Sequence, residues 1–255
     1  MGIKSLRWQG VLPFLCILAL WQGASSLGWT NSYLLPSPYR VGRALVLAAR
    51  SGDLARHSAA SGLRVVGGFG LALALALPGA VLASFAPRFM AALDPLLTFL
   101  RNIPPLALVP VLILWLGIGE ASKLALILLS SFFPVFMGAL SGLRNVDPRL
   151  LEMGRSLGFS RSQVLVRIMF PESVPSAANG LRLGLGYSWR ALVGAEMVAA
   201  SSGLGYWILD AEQMARIDSV FAGILVIGLL GVLLDRSVYA LGARLLPWAR
   251  LEAQW

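Results

Sequence analysis

Six stretches of about twenty mostly apolar residues recur along this 255-residue chain, and GGFGLALALALPGAVLAS at 67–84 is typical of them. A helix of that length crosses a hydrocarbon core of about 30 Å. Lipid offers the backbone no water, so only helices or a closed barrel can cross it. The runs are continuous and do not alternate with period two, which selects helices. Charge content agrees, at 13% of residues against about 25% in an ordinary soluble domain. The expected fold is an all-α integral membrane bundle of six transmembrane helices, at roughly 10–28, 63–85, 99–118, 123–142, 175–199 and 220–241.

Cys16 is the single cysteine and lies in the first run, which excludes a disulfide framework and a thiolate metal site. The only histidine, His57, is expected on the surface in a polar loop. The formal charge of +9 is read as Lys and Arg flanking the spans, where they meet anionic headgroups and set orientation, and not as a nucleic-acid surface. Lys4 and Arg7 precede the first run, so a cleaved signal peptide is the alternative there. The length of the run, its Trp21 and the lack of a small-x-small cleavage site favour a span.

Six spans place both termini on one side, here the cytoplasm. The 143–174 segment then also faces the cytoplasm, with Arg144, Arg149, Arg155, Arg161 and Arg167, as the positive-inside rule asks. The connection after the third span holds Glu120 and Lys123, and the one after the fifth is net acidic with Asp210, Glu212, Arg216 and Asp218. The 29–62 segment runs against this pattern, carrying Arg40, Arg43, Arg50 and Arg56 on the outside. Within it, YRVGRALVLAAR is read as an amphipathic helix lying at the outer interface.

The segment EMGRSLGFSRSQVLVRIMFP at 152–171 has its own punctuation. Asp147 and Pro148 make a helix start, an acidic cap followed by proline in the first turn. Leu150, Met153, Gly154 and Leu157 then form one apolar stripe. Gly158 is placed to close the helix in the left-handed conformation. Ser160 and Gln163 make a capping box for a second helix. Its apolar face is Val164, Leu165, Ile168 and Met169, Arg161 and Arg167 are polar, Pro171 is expected to stop it, and Pro175 to open the fifth span. The residues alone allow two uses of such a hairpin: interfacial helices among headgroups, or an element that docks in the groove of a cytosolic partner.

This segment resembles the cytoplasmic loop of ABC importer permeases, written E-A-A, three residues, G, about nine residues, an apolar residue, x, L-P. Glu152, Gly158, Ile168 and Pro171 stand at the E, the G, the apolar position and the P, while Met153, Gly154 and Phe170 depart from the usual residues. RNIPPLALVPVLILWLGIGEASK, FFPVFMGALSGLRNVDPRLLEMGRSLG and AEMVAASSGLGYWI extend the likeness over about 60–240, to permeases for nitrate, sulfonates and taurine. The resemblance implies a type I importer bundle in which two copies line one pathway for a small anion. It implies a docking loop, with Glu152, Arg155, Gly158, Arg161 and Pro171 as its coupling residues, seated on a separate ATP-binding subunit that holds ATP and Mg²⁺. It further implies an extracytoplasmic binding protein that meets the short outer helix read in ASSGLGYWILDAEQM. The domain division is then 1–57 for the first span and outer segment, 58–242 for the core with its 148–171 hairpin, and 243–255 for a cytoplasmic tail.

Arg190 and Glu196 fall inside the fifth span, where a charge costs at least about 2.5–3.5 kcal/mol on insertion scales. Both are translocation-pathway candidates. Their six-residue spacing puts them on different faces, so they need not pair. Glu196 is expected to reach the outer interface, and Arg190 either to satisfy a carbonyl in the bundle or to face an anion. Gly138-x-x-x-Gly142 and Gly180-x-x-x-Gly184 read as close packing, within the bundle or between copies. Pro104, Pro105 and Pro110 break or kink the third span. No phosphate-binding G-x-x-x-x-G-K-[ST], H-E-x-x-H or G-x-S-x-G run is present, so the chain is expected to transport and not to catalyse, with no cofactor of its own. The competing readings are an ion-coupled secondary transporter and a non-transporting membrane scaffold.

Overall fold

A computed structural model describes residues 5–29, 31 and 33–245. Every regular element among them is helical. Helix α1 spans Ser5–Ser26, α2 Pro38–Ser51, α3 Asp53–Phe85, α4 Pro87–Asn102, α5 Val109–Leu116 and α6 Glu120–Arg144. The chain continues through α7 Pro148–Ser156, α8 Arg161–Val164, α9 Phe170–Ala199, α10 Leu204–Gln213 and α11 Ile217–Leu245. The tail expected over 243–255 lies outside the described residues from 246 onward.

Helices α3, α6 and α11 are each long and apolar enough to cross a membrane. The span expected over 99–118 takes a different form. Helix α4 ends at Asn102, and the chain then turns by 84° into Pro105–Leu116. Ile103 precedes a proline, which disfavours the α region, and it adopts φ −72°, ψ 119°. Pro104 and Pro105 lack N–H groups, so the helical ladder cannot cross them. A short 3₁₀ turn at Pro105–Leu108 then leads into α5. The amphipathic helix of the outer segment is present as α2, which buries Val41, Ala44 and Ala48 and packs on α11.

Helix α6 packs most extensively against α9 and next against α3. Small residues make this possible. Ala72, Ala76 and Ala80 of α3 are fully buried, while Leu71, Leu75 and Leu82 on its other faces are exposed. Small side chains inside and large ones outside is the packing expected where lipid is as apolar as leucine. Both Gly-x-x-x-Gly pairs serve contacts inside the bundle. A Cβ on Gly138 would lie 2.6 Å from the Gly180 Cα, and one on Gly142 2.6 Å from the Ser173 carbonyl. One on Gly184 would lie 2.7 Å from a Val135 methyl. Higher numbers on α6 meet lower numbers on α9, so the two run antiparallel, with α7 and α8 at one end of the pair and α10 at the other. Ser130 and Ser131 of α6 donate back to the Leu126 and Ile127 carbonyls at 2.7 and 2.6 Å, leaving no hydroxyl unsatisfied in this layer.

Gly138→Ala should therefore lower the thermal midpoint of the purified protein. Gly70→Ala in α3, where a Cβ meets nothing within 4 Å, should hold it or raise it, because alanine gains up to about 1 kcal/mol of helix propensity over glycine. Melting followed by size-exclusion chromatography in detergent separates the two; equal effects would contradict the packing described.

Candidate functional site

The α6–α9 pair carries a feature at each end. At one end lies the hairpin. Asp147 caps α7 by accepting the Arg149 N–H at 2.9 Å. The helix closes with the Phe159 N–H on the Gly154 carbonyl at 3.0 Å and the Gly158 N–H on the Arg155 carbonyl at 2.9 Å. Those two bonds are the six-to-one and five-to-two pairs of a Schellman motif. Gly158 has φ +72°, a conformation open to glycine and strained for side chains with a Cβ. The box at Ser160 is complete, with the Gln163 N–H on Ser160 Oγ at 3.3 Å and the Ser160 N–H on Gln163 Oε1 at 2.8 Å.

The second helix does not stop at Pro171. Helix α8 passes through a π-helical turn at Leu165–Met169 directly into α9. The Phe170 N–H reaches back to the Leu165 carbonyl, one residue further than in an α-helix. Pro171 follows, where it has no N–H to place, and the wider turn relieves the clash of its ring with the preceding turn. Pro175 accordingly sits inside α9 and does not open it. The arms touch where Gly154 meets Ile168, close enough that a Cβ on Gly154 would sit 2.5 Å from the Ile168 Cδ1. The Arg167 guanidinium lies over the Phe159 ring, 5.5 Å from its centre. Glu152, Arg155, Arg161 and Pro171 are all exposed, as are the large apolar side chains of Met153, Leu157, Val166 and Phe170. Each arm thus buries one side and leaves a mixed charged and apolar surface uncovered.

At the other end lies a network that the sequence reading did not assemble. Arg64 of α3 is 7% exposed and uses all five of its N–H donors. Two go to Glu120 at the start of α6, at 2.7 and 2.8 Å. One goes to Glu196 of α9 at 2.6 Å, and two to the carbonyl and hydroxyl of Ser202 at 2.7 and 2.9 Å. Lys123 adds a contact to Glu120 at 2.9 Å. Glu196 is fully buried and also accepts from the Ser61 hydroxyl at 2.9 Å. It therefore does not reach the outer interface as expected, because its carboxylate is drawn inward to Arg64.

The same cluster holds the start of α10. The N–H groups of Gly203, Leu204 and Gly205 donate to His57 Nδ1, Ser61 Oγ and Glu196 Oε2 at 3.0, 2.9 and 3.0 Å. These are donors that the first turn of a helix leaves without partners. His57 is therefore no surface residue: it lies inside α3, 4% exposed, with its ring 6.5 Å from that of Trp207 and stacked on it. Its Nδ1 accepts, so that nitrogen carries no proton. Gly203, at φ +114°, lies so close to the Glu196 carboxylate that a Cβ could not fit. The signal for this network was present in the sequence: Arg64, Glu120 and Lys123 border apolar runs, where an ionisable residue calls for a named partner.

Arg190 stays apart from Glu196. It is exposed, donates from Nε to the Gly186 carbonyl of its own helix at 3.0 Å, and lies 4.9 Å from the Tyr187 ring centre. No group of three or more His, Cys, Asp or Glu able to hold a metal occurs among the described residues.

Residues 68–247 match the family described as binding-protein-dependent transport system inner membrane component. A Bacillus subtilis (strain 168) permease named SsuC, for aliphatic sulfonates transport, is 39% identical over 97% of this chain and 90% of its own length. The taurine transport system permease protein TauC of Escherichia coli (strain K12) is 37% identical over 91% of this chain and 86% of its own. Among solved structures, the MetNI methionine ABC transporter in inward-facing conformations superposes with a TM-score of 0.54 over 70% of this chain and 92% of that one. At 18% identity that likeness concerns the fold.

Removing one partner from a buried ion pair leaves the other uncompensated, at about 3–5 kcal/mol. Arg64→Met alone should accordingly cause a large loss of folded protein and thermal stability. Combining it with Glu196→Gln, which removes the stranded charge, should recover much of that loss. A double-mutant cycle on thermal midpoints checks this, and simple additivity would contradict the coupling.

Proposed function

This chain belongs to the family of binding-protein-dependent transport system inner membrane components, and from that premise we propose how it works as an importer subunit. It is a multi-pass membrane permease of an ATP-binding cassette system, a transport subunit and not an enzyme. In our reading α1, α3, the broken α4–α5 pair, α6, α9 and α11 make six crossings, with both termini in the cytoplasm. Two copies pair around one pathway within the core of residues 58–242. ATP and Mg²⁺ are bound by two partner subunits, one on each hairpin.

The observation that carries this reading is the hairpin. It is rigidly capped at Asp147, Gly158 and Ser160, it offers exposed Glu152, Met153, Arg155, Leu157 and Arg161, and it runs without a break into α9. A short helix pair with one uncovered mixed face suits a groove on a soluble partner. Closure of the ATP-binding subunits would move the hairpin, and α9 with it. Because α6 and α9 pack glycine to glycine, they would move together and carry the displacement to the Arg64 network. There α10, held by His57, Ser61 and Glu196, would meet the binding protein. Glu196 serves in this reading as part of that clamp, and Arg190 as the residue that faces the passing anion.

For the solute we propose a small anion of the aliphatic sulfonate, taurine or nitrate type. The names of the relatives support this, as does an exposed guanidinium inside a span. Ion-coupled transport has less to draw on. Glu196 of α9 and Asp235 of α11, which lie beyond the first turns of their helices, are already held by Arg64 and Arg182.

Two substitutions test the reading in membranes that contain the whole system. Glu152→Lys reverses a charge on the docking face. Gly158→Val forces a β-branched residue into φ +72° where no neighbour is struck, straining the turn by roughly 1–2 kcal/mol. Each should abolish ATP-dependent uptake and co-purification of the ATP-binding subunit while the protein still inserts. Normal uptake in both would leave the hairpin merely interfacial.

A further inference from the structure

A second charged cluster, in the groove between α9 and α11, takes no part in either the hairpin or the Arg64 network. Its cavity measures ≈ 730 Å³ and is lined by Arg182, Trp189, Arg190, Gly228, Asp235 and Arg236 among others. Asp235 is already committed, accepting Nε and Nη2 of Arg182 at 2.6 Å each. The net charge that remains belongs to Arg190 and Arg236. Only Nε of Arg190 has a backbone partner among the described residues, so its terminal N–H groups are available. Among the described residues no carboxylate lies within ion-pair distance of either arginine. A cation inside a span is costly unless something compensates it. The Tyr187 ring, 4.9 Å from the Arg190 guanidinium, offsets part of that cost, and two cations beside one cavity, next to a pair that is already neutral, still call for an anion.

The cavity is shaped to admit one. A Cβ on Gly228 would meet nothing within 4 Å, so the missing side chain keeps the groove open at that level. The Trp189 N–H is taken by the Ile227 carbonyl at 3.2 Å, which leaves its ring as apolar wall. Guanidinium groups bind planar or tetrahedral oxyanions through paired N–H donors. We propose that this groove binds an oxyanion head group of sulfonate or phosphate type bearing a short apolar part. Arg190 and Arg236 hold the oxygens, and the Arg182–Asp235 pair fixes the wall beside them. Such a head group can arrive on the transported solute or on an anionic lipid. For the solute the inference rests on the import reading, in which Arg190 already faces the passing anion; for the lipid it stands without that reading.

The test uses the full chain with its ATP-binding subunits, without nucleotide, in phosphatidylcholine nanodiscs. One arm measures equilibrium binding of radiolabelled butanesulfonate. The other measures phosphatidylglycerol retained through purification, by native mass spectrometry. Arg190→Gln, Arg236→Gln and the groove-filling Gly228→Leu are compared with Arg43→Gln, an exposed position on α2. At least one probe should bind saturably, weaken about tenfold or more in each groove variant, and be unchanged in the α2 variant. Butanesulfonate behaving this way assigns the site to the solute, phosphatidylglycerol to the lipid. If neither probe binds, or if both arginine variants bind as the parent does, the inference is overturned. Uptake that persists in that case leaves the import reading standing. Binding lost in the variants of a system that shows no uptake keeps the site and sinks the import reading.

Discussion

Glycine-to-glycine contact between α6 and α9 is the constraint on which the rest of the architecture depends. At Gly138 and Gly180 the backbones approach until a single methyl group would collide with main chain. Such an approach brings carbonyl and Cα surfaces together and leaves no side chain to slide. It makes two helices, of 25 and 30 residues, into one stiff unit. Everything with chemical character then sits at an end of that unit or beside it. The hairpin continues α9 at one end, and the Arg64 network ties α3, α6, α9 and α10 together at the other.

The two ends use polar groups in opposite ways. At the hairpin the caps satisfy the backbone locally, through Asp147, Gly158 and the Ser160–Gln163 box, so the charged side chains remain free for a partner. In the Arg64 network the side chains are consumed. Every donor of Arg64 is used, Glu196 is fully buried, and three N–H groups of α10 end on His57, Ser61 and Glu196. A buried network of this kind is weak evidence for added stability but a strong constraint on geometry, because breaking one member strands the others. That division suits the importer reading proposed above, in which the hairpin docks on a partner and α10 is held at the other end of the helix pair.

Local signals in the sequence were sufficient for local structure. The hairpin caps, the amphipathic α2, the short α10 and the packing role of the glycine pairs follow from spacing and backbone preference. Four things did not follow. The prolines at 104 and 105 announced a break, but not that the chain would turn by 84°, since the angle is set by packing. Pro171 was read as a stop, yet a single wide turn carries the helix past it. His57 looked like a loop residue because its neighbours in sequence are polar. Its partners are Gly203 and Trp207, far along the chain, and only the fold brings them to it. Arg64 is hidden for the same reason, with its carboxylates on two other helices.

The most direct test of the account is site-specific photocrosslinking from the hairpin in intact membranes. A benzoylphenylalanine at Met153, which is 52% exposed on α7, would sit on the face assigned to the partner. The account predicts a covalent adduct with the ATP-binding subunit that survives extraction and changes in yield between ATP-bound and nucleotide-free states. An adduct with lipid alone, or none, would contradict it and leave the hairpin as an interfacial element.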